Sequence, residues 1–166
     1  LLNYTQIENS NEIHDFMDLN EVVALVKEDL EVRITETKGQ ISIEKLPVLQ
    51  ASPLHMRQLF LNLIGNALKF HREGIAPIVK LSSFKIENGF WKISITDNGI
   101  GINEKYIDQI FKPFERLHGK TAYEGTGIGL TICNNIVTRY GGKITVKKNS
   151  TNGTTFEFTL PEKQSN

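Results

Sequence analysis

The 166 residues include a single cysteine, Cys133, which excludes an internal disulfide and a cysteine-rich zinc site. No apolar run approaches the ~20 residues that a membrane-spanning helix needs. Charge of either sign in excess is also missing, since 19 Lys+Arg balance 19 Asp+Glu. A bulk electrostatic grip on nucleic acid or an anionic membrane is therefore not expected. The chain begins Leu1-Leu2 with no methionine and no secretory signal, and is expected to be a piece of a longer protein. Three Asn-x-Ser/Thr matches, at Asn3, Asn149 and Asn152, carry no weight without a secretory context. What remains is an ordinary globular composition, 39% hydrophobic and 23% charged. That suits about one domain, burying roughly 70% of its unfolded surface.

Residues 1–17 are polar and read as the end of a helix running into a linker at Asn9 to Asn11. His14-Asp15 has no Arg or Pro nearby and reads as linker, not as a phosphoacceptor. From Asp18, with Glu21 three residues on as a capping partner, Val22, Val26, Leu30 and Ile34 recur every fourth residue. This predicts one helix to Gly39. Short strands are expected at 41–46 and 48–51, around Pro47. Ser52-Pro53 is a helix start, and that helix is predicted to reach Glu73. Strand-like runs near 77–87 and 90–97 meet at Asn88-Gly89, a type I′ hairpin signal. A short helix fits 103–110, and 111–126 reads as a long loop of functional character. A helix from Thr126 to Tyr140 should stop at Gly141-Gly142. Strands near 143–148 and 154–160 close the chain around a polar turn at 149–153. The order predicts an α+β domain, a two-layer α/β sandwich whose mixed sheet carries helices on one face.

Three segments carry candidate chemistry. On a helical wheel, Leu59, Phe60, Leu61, Leu63, Ile64, Ala67 and Leu68 fill an arc of about 200°. His55, Gln58, Asn62, Gly65, Asn66, Lys69 and Glu73 share the rest. Asn62 and Asn66, four apart, stack on one face, with Lys69 a turn on. The stripe is either a solvated face or a seat for a hydrated cation or polyphosphate. In the strand 90–97, Trp91, Ile93 and Ile95 alternate onto one face and Asp97 continues it. An inward carboxylate needs a donor. Asp97 either bonds its own turn, Asn98-Gly99-Ile100-Gly101, or waits for an amine such as the exocyclic amine of adenine.

Gly125, Gly127 and Gly129 open the last helix, where exposed N–H groups suit a phosphate tail. No strand precedes them, so a Rossmann turn fits poorly. Gly119-Lys120-Thr121 mimics the end of a P-loop, but Phe114 stands where that motif needs a glycine. The loop before the glycines holds Lys112, Arg116, His118 and Lys120 against Glu115 and Glu124. That chemistry suits a mobile cover over a polyphosphate, or any solvated loop. Cys133 reads as a small buried apolar residue.

Together these pieces resemble one family. An Asn-x-x-x-Asn-Ala-x-Lys-Phe helix is followed by Asp-Asn-Gly-Ile-Gly-Ile, Phe-Lys-Pro-Phe-Glu-Arg, Gly-Thr-Gly-Ile-Gly-Leu and Asn-Gly-Thr-Thr-Phe. The order is similar to the catalytic, ATP-binding domain of sensor histidine kinases, within the gyrase/Hsp90/MutL ATPase superfamily. Phe114 to Leu130 resembles the phytochrome and light-sensor kinases most. The resemblance covers about residues 18–161. It implies a Bergerat ATP-binding fold with a long ATP lid, a catalytic domain over 18–163 and a tail at 164–166. Residues 1–17 would be the end of a dimerisation and phosphoacceptor helix plus linker.

The resemblance also implies roles. Asp97 would accept from the adenine amine, Gly99, Gly101 and Ile102 would shape the base pocket, and Phe70 would pack near the base. Asn66 would ligate Mg²⁺, with Asn62 beside it and Lys69 on phosphate. Phe111 and Phe114 would anchor the lid, and Arg116 and Lys120 would meet phosphate. Gly125, Thr126, Gly127, Ile128, Gly129 and Leu130 would form the lid hinge and the helix start, and Thr154 would close the pocket. The family's last box often reads Gly-x-Gly-Thr, whereas here it is Thr151-Asn152-Gly153-Thr154, implying a less mobile turn.

Hydrolysing relatives place a glutamate four residues before the Mg²⁺-binding Asn, and here that position is Asn62. A neutral amide cannot act as a general base. The implied reaction is γ-phosphoryl transfer from ATP to a histidine of a dimerisation and phosphoacceptor domain, then to a response regulator receiver domain. The alternatives are a nucleotide-binding module that signals by conformation alone, and an ATP-hydrolysing relative. The resemblance implies a monomeric fragment, a homodimeric parent and no nucleic-acid partner. The domain would be cytoplasmic, its parent cytoplasmic or membrane-anchored.

Overall fold

The computed structural model describes residues 12–111 and 128–165. Strand β1 (Phe16–Asp18) pairs antiparallel with β3 (Val48–Gln50), placing Phe16 opposite Gln50. Three residues are too few to show an alternating pattern, so this part of the expected linker gives no strand signal. Asp18 then caps helix α1 (Leu19–Asp29), its side chain accepting the Asn20 N–H at 2.8 Å. The cap thus closes on Asn20 rather than on Glu21.

The single helix expected up to Gly39 breaks at Leu30 (φ −101°, ψ 8°) and resumes as α2 (Glu31–Thr37). The Leu30 N–H is shared between the Val26 and Lys27 carbonyls. The break keeps Leu30 at 8% exposure while Val32, at 69%, faces solvent. Strand β2 (Gln40–Ile43) follows. Helix α3 (Pro53–Lys69) starts where Ser52 accepts the His55 N–H. It ends four residues short of Glu73, because the Phe70 carbonyl is taken by the Ile100 N–H at 3.0 Å. The chain leaves the helix to meet the turn after β5.

Strands β4 (Ile78–Lys85) and β5 (Phe90–Asp97) are joined by the expected type I′ turn. Asn88 (φ 61°) and Gly89 (φ 75°) both lie in the left-handed region, and the Phe90 N–H donates to the Glu87 carbonyl. The helix expected at 103–110 is only a 3₁₀ turn, Glu104–Tyr106, capped by Asn103 accepting the Lys105 N–H. Helix α4 (Ile128–Arg139) precedes β6 (Ile144–Lys148) and β7 (Thr154–Pro161).

The main sheet runs β2-β4-β5-β7-β6, with β2 and β4 parallel and the other pairs antiparallel. Its inner face is apolar: Val79 and Leu81, Ile93 and Ile95, Phe156 and Phe158, Val146. Helices α1, α3 and α4 cover that face through Val23, Leu59, Phe60, Leu63 and Ile136, all fully buried. Phe60 meets Phe158 edge-on at 5.7 Å. The outer face is polar, with Thr96 bonded to Thr155 and Ser94 to Glu157. This is the expected two-layer α/β sandwich.

One polar group lies inside the helical layer. The Tyr140 hydroxyl accepts the Ser52 N–H at 2.9 Å and sits 2.7 Å from His55 Nδ1. With the proton of a neutral His55 on Nε2, the hydroxyl's own proton goes to Nδ1; that direction follows from the tautomer and not from the distance. His55 is thus part of the core and not of the polar stripe. Burial first, then Arg139 and His14, hold its pKa at about 4 against an ordinary 6.5. Unfolded, His55 takes a proton near pH 6.5, and folded only near 4. Between those values the unfolded state binds more protons, so stability is full above the window and falls on acidification through it. Urea unfolding should show this group costing about 2 kcal/mol between roughly pH 7 and pH 5. His55→Gln, which cannot titrate, should lose that part of the pH dependence.

Candidate functional site

Alternation along β5 carries Asp97 onto the core face, and it is 8% exposed. Its Oδ1 accepts two backbone N–H groups, from Gly99 at 2.8 Å and Thr154 at 3.1 Å. Among the described residues none donates to Oδ2. The turn-capping reading therefore accounts for one oxygen and leaves the other for a donor from outside. Burial pushes the Asp97 carboxyl up from its ordinary range, while the two N–H groups and the Arg72 charge pull against that rise.

Two turns build the walls. The Asn149 amide donates to the Asp97 carbonyl at 2.8 Å, and its oxygen accepts the Thr151 and Gly153 N–H groups. Asn149 so shapes the 149–153 turn and ties it to the end of β5. The turns meet backbone to backbone. A Cβ on Gly153 would lie 2.1 Å from the Asp97 carbonyl oxygen, and one on Gly99 2.3 Å from that of Phe70. Gly101 combines a φ of +77° with a Cβ position 2.4 Å from the Asn152 oxygen. Arg72 crosses the junction, Nε donating to the Gly99 carbonyl at 3.0 Å and Nη2 to that of Thr151 at 2.6 Å.

Helix α3 contributes the polar stripe, with Asn62 and Asn66 half-buried and Lys69 exposed. The Asn62 amide donates back to the Gln58 carbonyl at 3.0 Å. Its oxygen lies 3.0 Å from where a Cβ on Gly129 would stand, so the start of α4 rests on this side chain. Lys69 Nζ sits 5.2 Å from the centre of the Phe70 ring. Ile102 and Leu130 are buried in the core, Thr154 is 1% exposed, and Phe111 packs edge-on against Phe156.

A cavity of about 700 Å³ opens along this junction, lined by Gly101, Ile102, Ile100, Arg72, Asn103, Glu104, Lys148 and Asn152. Gly101 and Ile102 were expected there. Arg72, Lys148 and Asn152 were not, nor was Asn149, which does not line the cavity but holds its 149–153 turn in shape. An Asn four residues before a turn glycine is the one signal that could have pointed to Asn149. Phe114, Arg116, Lys120, Gly125, Thr126, Gly127 and the Ile128 side chain lie outside the described residues. Cys133 is fully buried and its thiol is pushed up by burial, as a core residue.

Among the described residues no cluster of three or more His, Cys, Asp or Glu could hold a metal. The amide oxygens of the half-buried Asn62 and Asn66 are hard donors of the kind that Mg²⁺ accepts alongside phosphate and water. Among the described residues no helix is long and apolar enough to cross a membrane.

Comparison with known proteins meets this geometry. The chain is 34% identical over 161 residues to the phytochrome-like protein Cph1 of Synechocystis, across 97% of this chain and 21% of that protein. It therefore spans a small part of that relative's length. The catalytic domain of histidine kinase ThkA superposes with a TM-score of 0.76 at 25% identity, covering 93% of this chain and 99% of that one. Full-length ShkA in complex with AMPPNP superposes with a TM-score of 0.79 at 25% identity, covering 99% of this chain and 35% of that one. The profile described as histidine kinase-, DNA gyrase B-, and HSP90-like ATPase matches residues 51–164. With Asp97, the α3 stripe and strands β4 to β7 inside that span, the chain belongs to the histidine kinase-, DNA gyrase B- and HSP90-like ATPase family.

Proposed function

We propose that this chain binds ATP with Mg²⁺ and transfers the γ-phosphoryl group to a histidine of a dimerisation and phosphoacceptor domain, within two-component signalling. The observation that carries the nucleotide half is the buried Asp97, whose Oδ1 is held by two N–H groups while Oδ2 stays open among the described residues. A purine amine supplies the donor that Oδ2 lacks, and the AMPPNP bound by the similar ShkA is of that class. Asn66 would hold the Mg²⁺, which supplies charge neutralisation on the phosphates. Lys69 stands one turn along on the same face to meet them.

The transfer half rests on Asn62. Its amide cannot take a proton, so activation of water is not built into α3. Phosphoryl transfer needs mainly positioning and neutralised charge. An imidazole nitrogen of the acceptor would attack the γ-phosphorus, the bond to the bridging oxygen would break, and ADP would leave. Arg116, Lys120 and the glycines 125, 127 and 129 belong to the segment expected to close over the phosphates. Phosphate would pass on to a receiver-domain aspartate, and the working parent would be a homodimer.

Mixing the chain with its separately made phosphoacceptor domain and labelled ATP tests this reading. Label should appear on that domain's histidine. Asp97→Asn keeps an acceptor for Gly99 and Thr154 but turns an NH₂ toward the base. It should weaken nucleotide binding about 10- to 150-fold, matching about 1.5–3 kcal/mol for a charged hydrogen bond. Nucleotide binding without transfer would favour a conformational module, and rapid hydrolysis without protein label a hydrolase. Arg116→Ala should slow transfer more than it weakens ATP binding. Equal losses in both would remove Arg116 from its assigned place.

A further inference from the structure

We infer that Arg72 is a positioning residue that sets base specificity, clamping the two turns that hold Asp97; the inference rests on the adenine-nucleotide reading above. Each Oδ1 donor comes from a different turn: Gly99 follows β5 directly, and Thr154 follows the 149–153 turn. Neither turn alone fixes the carboxylate. The direction of Oδ2 therefore depends on the distance between the turns. Arg72 spans that distance, with one prong on the Gly99 carbonyl and the other on the Thr151 carbonyl.

The chemistry suits arginine and little else. Two carbonyls at different heights need two donors in one rigid plane, which the guanidinium fork supplies and an ammonium does not. Arg72 makes no ion pair among the described residues; its fork goes to the two carbonyls, while its charge favours the Asp97 carboxylate from beyond ion-pair distance. It also stands just beyond the end of α3, where the Phe70 carbonyl already accepts the Ile100 N–H. The phosphate-facing helix and the base-facing turn are thereby joined within three residues, 70–72. Arg72 touches the pocket walls and acts on the base through Asp97.

A purely structural role and a positioning role differ in what they do to two ligands. ADP carries the exocyclic amine, and IDP carries a carbonyl oxygen in its place with the same sugar and phosphates. Calorimetry with Mg²⁺ on the 166-residue chain should show wild type preferring ADP. In Arg72→Ala the ADP affinity should fall about tenfold while that for IDP changes less than about threefold, since only ADP brings an exocyclic amine to Oδ2. Arg72→Lys keeps the charge and one donor, and its ADP-to-IDP ratio should fall by at least about twofold. It gives the reading if Arg72→Ala does not fold. A ratio unchanged from wild type, or equal losses for both ligands, overturns the inference and leaves Arg72 a packing residue. A wild type with no preference for ADP overturns the adenine reading with it.

Discussion

A carboxylate at the inner end of a core strand constrains the rest of this molecule. Asp97 sits in line with Ile93 and Ile95, where burial raises its carboxyl above the ordinary range. Keeping it a useful acceptor takes donors that are already in place. The two that serve come from opposite turns, and the sheet register brings them there. Pairing of Thr96 with Thr155 across β5 and β7 puts the Thr154 N–H beside the Asp97 side chain. The glycines follow from the same demand. Gly99, Gly101 and Gly153 stand where backbones approach so closely that a Cβ would collide with a carbonyl oxygen. Sheet register, turn composition and site chemistry express one constraint.

Helix α3 answers a second demand. It must bury Leu59, Phe60, Leu63, Ile64 and Leu68 completely, yet keep Asn62, Asn66 and Lys69 out of the core. A wide apolar arc with a narrow amide stripe is the pattern that does both. Its exit is as constrained as its face. Had the helix continued to Glu73, the Phe70 carbonyl would have stayed within the helix and the turn after β5 would have lost its anchor.

What could be read in advance follows from the range of the forces involved. Alternation in β5 and the arc of α3 are local patterns, so the inward Asp97 and the Asn62–Asn66 stripe were visible in the chain itself. So was the Asn88-Gly89 turn, where positive φ at two successive residues has a short list of candidates. The break at Leu30 was not, because a strict four-residue spacing reads the same through a kinked helix as through a straight one. Strand β1 was hidden by its length, and His55 looked like part of the polar stripe until Tyr140, 85 residues away, supplied its partner. Arg72 and Asn149 were invisible for the same reason. Their worth lies in bonds spanning 27, 79 and 52 residues. No window along the chain contains both ends.

On the proposed function, these two constraints divide the labour. The base is held by strand ends and turns that brace one another, which suits a group that must be recognised and not moved. The γ-phosphoryl group falls to the α3 edge, the start of α4 and the segment between Phe111 and Ile128. On the α3 edge the chain offers two amides and a cation, and Asn62, beside the expected metal ligand, is occupied in bonding Gln58 and seating Gly129. Such a site can align and neutralise a phosphoryl group without activating water against it. A nucleophile with its own lone pair, such as a neutral imidazole, asks for no more than that. On that reading, an amide at residue 62 in place of a general base would spare ATP from hydrolysis and let it wait for a protein histidine.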